Sequence, residues 1–446
     1  MKKNIFYLGL LCILLLNGCQ TKTTKQTPTV KHNGVKAKLE LLEANEQFIQ
    51  NSEKGGIPHA KWDAPEYAAY SFTNAYKYTR HYRISHGVLG ASEAVLTPEV
   101  LEVTNTLNLK QLKAYDADQE LDLETLLRER LKNHSMVIIK DDNIVHQHFW
   151  NGMDNNATHL DMTVTKSFTS MCASIAVKEG KLDMSKQTTN YLPYLKETAF
   201  DGTTVQEVAD MRTGLDIPTP EHLSWDPRFT LSQEWNGPND SGLFGISEYL
   251  SLIKDRKYPI GEKYQYQDPN TEVLGMVVEI ATGKNLADYF QDKMWTKLGV
   301  ENDAFWMADP SGYVVASGGL NMTTRDLARV GKMLLNDGNN YIGENIIPKE
   351  FIDAIWEGNE LVRNAWKDSK ESHLAADAWY KDQFRILNIK GHKLLCMVGI
   401  HGQVVAVDKD KNVVITMNSG YTQTETPRMA NLIFYQTLPT ILNELD

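Results

Sequence analysis

The chain has little cysteine, no surplus of positive charge and, at its N-terminus, only a short apolar run. Four cysteines in 446 residues exclude a disulfide-built scaffold. Forty-six Lys and Arg against 57 Asp and Glu give a net charge of −11. The body therefore lacks the basic excess that phosphate-backbone binding requires, and nucleic acid is not an expected partner. The run from Ile5 to Leu16 is too short to cross a bilayer as a helix. What is present is an ordinary globular composition, 42% hydrophobic and 23% charged with 29 Gly and 15 Pro, which excludes collagen-like, coiled-coil and wholly disordered chains.

Met-Lys-Lys-Asn, the apolar run and Leu16-Asn17-Gly18-Cys19 together resemble a bacterial lipoprotein signal, with residues 1–18 removed and Cys19 lipidated. Losing Lys2 and Lys3 with the signal takes the net charge from −11 to −13. Residues 19–36 are polar and free of aromatics, as expected of a flexible tether. The resulting expectation is a protein held at the bacterial cell envelope by lipid rather than by a membrane-spanning helix. The mature body keeps Cys172 and Cys396, both in apolar stretches, where two buried free thiols are expected ahead of a bridge. Oligomeric state is not legible.

Residues 37–130 lean helical and are rich in Tyr and Trp, and residues 131–446 read as one further domain. Met136–Ile139, the polar Asp141-Asp142-Asn143 and Ile144–Phe149 form a hairpin pattern. Three more strands are expected at 394–398, 404–407 and 413–417, then a helix over 427–438. Between them lies a long stretch of helical periodicity, including Glu272–Thr282 stopped by Gly283 and Leu327–Leu335 opened by Thr324. The fold class is α+β: an antiparallel β-sheet flanked by helices, with a mostly helical subdomain inserted and a cleft where the two meet.

In the segment Asp161 to Ile175, apolar residues fall at 164, 168, 171, 172 and 175, an amphipathic helix with Asp161 as N-cap. Thr163 and Lys166 lie three apart and share a face, a hydroxyl beside an amine. The helix N-terminus should lower the lysine's proton affinity and offer N–H groups to an oxyanion. Spacing alone is weak, because Ser251-Leu-Ile-Lys254 matches it too and reads as a solvated helix edge. Thr163 differs in its context, with Asn133–Lys140 before it and Val208–Leu215 after.

Thr163-Val-Thr-Lys166, Tyr266-Gln-Asp268 and His401-Gly402-Gln403, in that order with the block Ala316–Ala328, resemble the serine β-lactamase and penicillin-binding-protein-like superfamily. The nearest branch is that of the 6-aminohexanoate-dimer hydrolases and family VIII esterases, and the resemblance covers about residues 60 to 440. It implies a β-lactamase/transpeptidase-like fold and acyl transfer to water on a small amide or ester, without metal or organic cofactor. Thr163 would accept the acyl group. Lys166 and Tyr266 would move its proton, so the three polar groups should converge within hydrogen-bond reach. The amides of Thr163 and Gln403 would form the oxyanion hole beside His401 and Gly402. Two positions depart from the pattern: Thr163 stands where the family has serine, and Asp268 where it has Asn or Ser. A β-branched nucleophile crowds the attack, and a carboxylate near Lys166 favours the ammonium. Ile400-His401-Gly402 in place of Lys-Thr-Gly removes the cation that would meet a β-lactam carboxylate.

Outside the motifs, His146 and His148 alternate on a strand and are expected on a solvated face, since no third metal ligand accompanies them. Gly318-Gly319 reads as a turn, and the Pro-rich loop 217–238 reads either as a pocket cover or as an ordinary surface loop, the resemblance implying that its Trp225 meets the substrate. The expected activity is acyl hydrolysis. The competing expectation is a catalytically silent envelope protein that binds in the same cleft.

Overall fold

The computed structural model describes residues 34–87, 96–220, 225–423 and 426–445. The signal, Cys19 and most of the tether lie outside the described residues. The described residues form one compact unit.

β-Branched and aromatic runs separated by tight turns build a seven-stranded antiparallel sheet. Its strands are β1 (Asn133–Lys140), β2 (Asn143–Phe149), β3 (Ala378–Lys381), β4 (Phe384–Ile389), β5 (His392–Gly399), β6 (Gln403–Asp408) and β7 (Val413–Ser419). Their spatial order is β3-β4-β5-β6-β7-β1-β2, so the N-terminal hairpin adds to the C-terminal meander through β7 against β1. The hairpin and the three C-terminal strands thus stand where the sequence predicts them. Both residues of the Asp141-Asp142 turn lie in the left-handed region, at φ 47° and 67°, as a tight two-residue hairpin requires.

β3 and β4 were not expected. They are joined at Asp382-Gln383, which also has positive φ at both residues but lacks the glycine that usually announces such a turn. A second sheet, of five short strands, runs in the order Leu41–Leu42, His81–Ile84, Ala304–Met307, Leu320–Thr323 and Thr158–Leu160. Residues 37–130 supply two of those strands and bury Trp62, Phe72 and Tyr78 in the same core as the rest.

The inserted region is helical as expected, and three of its helices matter for the site. They are α1 (Thr165–Lys178), α2 (Asp268–Thr282) and α3 (Thr324–Leu335). Gly283 ends α2 with φ 68°, as its sequence predicts. The cap of α3 is Thr323 rather than Thr324, since its hydroxyl accepts from the Asp326 amide. The last helix begins at Pro427 as expected but continues, through a widened stretch at Asn431–Thr437, to Glu444.

Two local expectations fail at the start of α1. Asp161 does not cap it: residues 162–164 make a tight turn first, and the carboxyl group makes no side-chain cap bond. Nor is α1 amphipathic, because Thr165 to Ala176 are all buried and several of its polar side chains find partners inside the protein. Thr169 donates to the Ala316 carbonyl and Ser167 to that of Gln383. A helix wrapped on every side holds its first turn in one place. Cys172 and Cys396 are free and buried, as expected. No helix among the described residues is long and apolar enough to cross a membrane.

Candidate active site

Thr163 stands in the tight turn that opens α1, partly exposed, where the first backbone N–H groups of a helix have no partner in the helix. Met162 before it has φ 48°, a conformation that costs a side-chain-bearing residue about 1–3 kcal/mol and that collects at functional sites. The preceding strand and the fully buried Asp161 hold it there. Burial pushes the Asp161 carboxyl well above the usual carboxylate range, against the opposing pull of the Met322 amide. β5 reaches this turn because Gly399 has no side chain: a Cβ there would come within 2.6 Å of the Asp161 carbonyl oxygen.

That approach decides where the hydroxyl points. Thr163 Oγ1 donates to the Val398 carbonyl at 2.8 Å, not to Lys166. Lys166 is buried, donates to the Ser317 carbonyl at 2.7 Å and stands 2.6 Å from Asp268 Oδ1. Its Nζ is 5.0 Å from the centre of the Tyr266 ring. The expected three-way convergence is therefore half formed. Lys166 and Tyr266 meet, while the ammonium is occupied by Ser317 and Asp268 and the hydroxyl by Val398.

The lysine's proton affinity is also opposite to the expectation from the helix N-terminus. Burial pulls it down, but the Asp268 carboxylate and the Tyr266 hydroxyl outweigh burial and hold it above its ordinary value. Asp268, in the first turn of the 15-residue α2, is where a helix favours negative charge. One turn on, Glu272 accepts from the Ala316 and Ser317 amides, each at 3.0 Å, and so fixes the loop whose Ser317 carbonyl holds Lys166. Burial pushes Glu272 up to about 7, moderated by those amides and by Lys166. Gly318-Gly319 is the turn that completes this loop, both amides bonding back to Val315.

His401 and Gly402 form the β5–β6 turn with φ 66° and 91°, and His401 Nδ1 lies 2.8 Å from the Tyr421 carbonyl. Gln403 is on β6, opposite Gly399, and is fully buried. Its carboxamide donates to the Ile400 and Ser419 carbonyls and accepts from the Ser419 amide. These three residues brace the end of β5, and the residue that touches Thr163 is Val398. Trp225 is 40% exposed, and no contact among the described residues brings it to Thr163.

Sequence reasoning missed Val398, Ser317 and Arg385. Arg385, on the unforeseen β4, lies with its guanidinium carbon 4.7 Å from the centre of the Tyr266 ring. Ser317 fell within a block already singled out. Away from the site, Ser251 and Lys254 bond only to neighbouring carbonyls, consistent with an inert helix edge. His146 and His148 are half-buried rather than solvated: their facing nitrogens are 2.9 Å apart, and His148 stacks on Trp150 at 3.5 Å. Among the described residues no group of three or more His, Cys, Asp or Glu is placed to hold a metal ion.

With the hydroxyl of Thr163 set between the edge of β5 and the helix that bears Lys166, the comparison with known families is direct: the beta-lactamase family model matches residues 123–436. The chain belongs to the beta-lactamase family. It is 28% identical over 312 residues to the 6-aminohexanoate-dimer hydrolase of Paenarthrobacter ureafaciens, covering 68% of this chain and 76% of that one. A Bacillus anthracis structure assigned as a 6-aminohexanoate-dimer hydrolase superposes with a TM-score of 0.72 at 24% identity, covering 88% of this chain and 97% of that chain. EstCE1, a hydrolase with promiscuous acyltransferase activity, superposes with a TM-score of 0.56 at 14% identity, covering 72% of this chain and 95% of its own. The α+β fold class and the family resemblance both stand.

Proposed function

We propose that the chain hydrolyses amide or ester bonds of a small substrate through an acyl-enzyme on Thr163. The observation that carries this reading is the placement of the Thr163 hydroxyl, in the strained turn that leads into the helix bearing Lys166 and against the edge of β5. In the forward step Thr163 Oγ attacks the acyl carbon, its proton passes into the Lys166–Tyr266 pair, and that pair returns a proton to the departing amine or alcohol. Water then attacks the acyl-threonine, giving one proton to the Lys166–Tyr266 pair; the bond from the acyl carbon to Thr163 Oγ breaks, the pair returns the proton to Oγ, and the acid departs. The Thr163 amide and a backbone amide at the end of β5 would receive the oxyanion. The Lys–Thr–Tyr set needs one proton fewer than the resting pair holds, because Asp268 keeps Lys166 as an ammonium. Slow turnover at neutral pH follows.

The test is hydrolysis of short-chain p-nitrophenyl esters by the full-length protein, with intact mass recorded during turnover. Parent activity and an acyl adduct, both lost in Thr163→Ala, support the reading. Activity that appears only in Thr163→Ser points to the second reading, a silent binding protein, which the hydroxyl's engagement with Val398 and the Lys166–Asp268 ion pair favour. We also infer lipid attachment at Cys19 and a place at the bacterial cell envelope, supported by the residues Leu16 to Cys19. Cys19→Ala should then move the protein out of the membrane fraction.

A further inference from the structure

We propose that Arg385 is a positioning residue for the reaction, acting through Tyr266; this rests on the acyl-transfer reading above. Tyr266 comes from an irregular segment just ahead of α2, so no helix or strand of its own fixes the ring. The ring is instead met by two cations, Lys166 at 5.0 Å and Arg385 at 4.7 Å from its centre, and edge-on by Tyr380 at 6.0 Å and 87°. Both cations attract the electron-rich face of an aromatic ring.

Arg385 is itself held rigidly. Glu371 takes its Nε at 2.8 Å and its Nη2 at 3.2 Å, and the Tyr264 hydroxyl donates to the same carboxylate at 2.9 Å. Tyr264 stacks on Tyr380 at 4.8 Å and on Trp366 at 5.5 Å, which closes an aromatic frame around the guanidinium. β4 carries Arg385 opposite Cys396 of β5, two residues before the Val398 that receives the Thr163 hydroxyl. The frame thus ties the phenol to the same strand that aligns the nucleophile. With its Nε–Nη2 edge held by Glu371 and its guanidinium against the Tyr266 ring, Arg385 acts on the position of the phenol, so its effect belongs to kcat rather than to binding.

The experiment compares Arg385→Lys with the pair Arg385→Met and Glu371→Gln, which avoids leaving an unpaired buried carboxylate, in the full-length protein with p-nitrophenyl butyrate. The Met/Gln pair should lose roughly 30-fold in kcat with KM changed by less than about two-fold, since misplacing an acid–base group costs rate rather than binding. Arg385→Lys should recover most of the loss, and in a Tyr266→Phe background the Met/Gln pair should cost less than about two-fold more. A KM rise at constant kcat, an equal loss in the Lys variant, or a full further loss in the Tyr266→Phe background overturns the proposal. If the parent turns over no ester and forms no adduct, the acyl-transfer reading falls, and a crystal structure of the Met/Gln variant decides the positioning claim separately. A displaced or spread Tyr266 ring supports it, and an unmoved ring overturns it.

Discussion

Replacing Asp268 by Asn removes the charge that holds Lys166 as an ammonium while keeping the side-chain shape. Unit charges about 4 Å apart interact by roughly 4 kcal/mol at an effective dielectric near 20. The Lys166 side chain is 1% exposed and that of Asp268 30%, with 2.6 Å between the paired atoms. Halving the estimate for the partly solvated partner leaves about 2 kcal/mol, or roughly a 30-fold gain in unprotonated lysine at a given pH. Burial, the largest influence on Lys166, then acts unopposed by Asp268 and lowers its proton affinity. For Asp268→Asn, kcat/KM for p-nitrophenyl butyrate at pH 7 should rise by about 10- to 30-fold, and the pH of half-maximal rate should fall by about one to two units. That midpoint belongs to the Lys166–Tyr266 pair as a whole.

Stability should move in the opposite sense. In the parent, the raised lysine contributes stability that is fully present below its unfolded value and is lost as pH rises through the folded one. In the variant the folded value drops, so the loss of Tm is largest near neutral pH and shrinks at alkaline pH. A lower rate at every pH with an unmoved midpoint would refute the reasoning, since Asp268 would then be acting on something other than the lysine's proton.

A second titration lies outside the site. Burial, aided by Asp309 and Asp288, pushes Glu279 up to about 8, so its contribution to stability is greatest below the unfolded value and is lost as pH rises through 8. Glu279→Gln should match the parent near pH 5, exceed it by up to roughly 5 kcal/mol at pH 9 in chemical unfolding, and leave esterase activity unchanged. Gly331→Ala should cost about 1–3 kcal/mol by overpacking, read as a lower Tm. The new Cβ would lie 2.4 Å from Val414 Cγ1 where α3 crosses the sheet. Thr163→Ser, which removes only the crowding methyl, should raise the rate of acylation by roughly ten-fold in stopped-flow measurement while leaving Tm within about 2 °C.

How much was legible depended on whether the information was local. The hairpin around Asp141-Asp142 and the stop at Gly283 were readable because the turn and cap residues lie within the segments they end. β3 and β4 were missed because their turn, Asp382-Gln383, is stabilised at a distance: Gln383 bonds to Thr271 and Ala209, and Asp382 to Asp210. The alternating Trp379, Phe384 and Ile386 were the available signal. The same division explains the start of α1. A polar, periodic segment looked amphipathic, but its Ser167 and Thr169 hydroxyls are satisfied by carbonyls more than a hundred residues away, which no periodicity reports.

In the site, the motif spacing located the residues and could not say how they were bonded. Thr163 and Lys166 stand three residues apart across the turn that leads into α1, yet each takes its partner from elsewhere: Val398 from β5, Ser317 from the loop before α3, and Asp268 from α2. A lysine placed at a helix start reads as a base only while no acid faces it. Asp268 was visible as a departure from the family pattern, and its consequence, an ammonium in place of an amine, follows from one charge and one distance. The two departures act on different steps. Under the proposed mechanism threonine would slow the attack by crowding, whereas Asp268 would reduce the fraction of molecules able to begin it. If both lie on one reaction path, Thr163→Ser and Asp268→Asn should gain independently and their combination should approach the product of the two. A combined gain no larger than the better single variant would mean that another step, such as freeing the Thr163 hydroxyl from Val398, limits turnover.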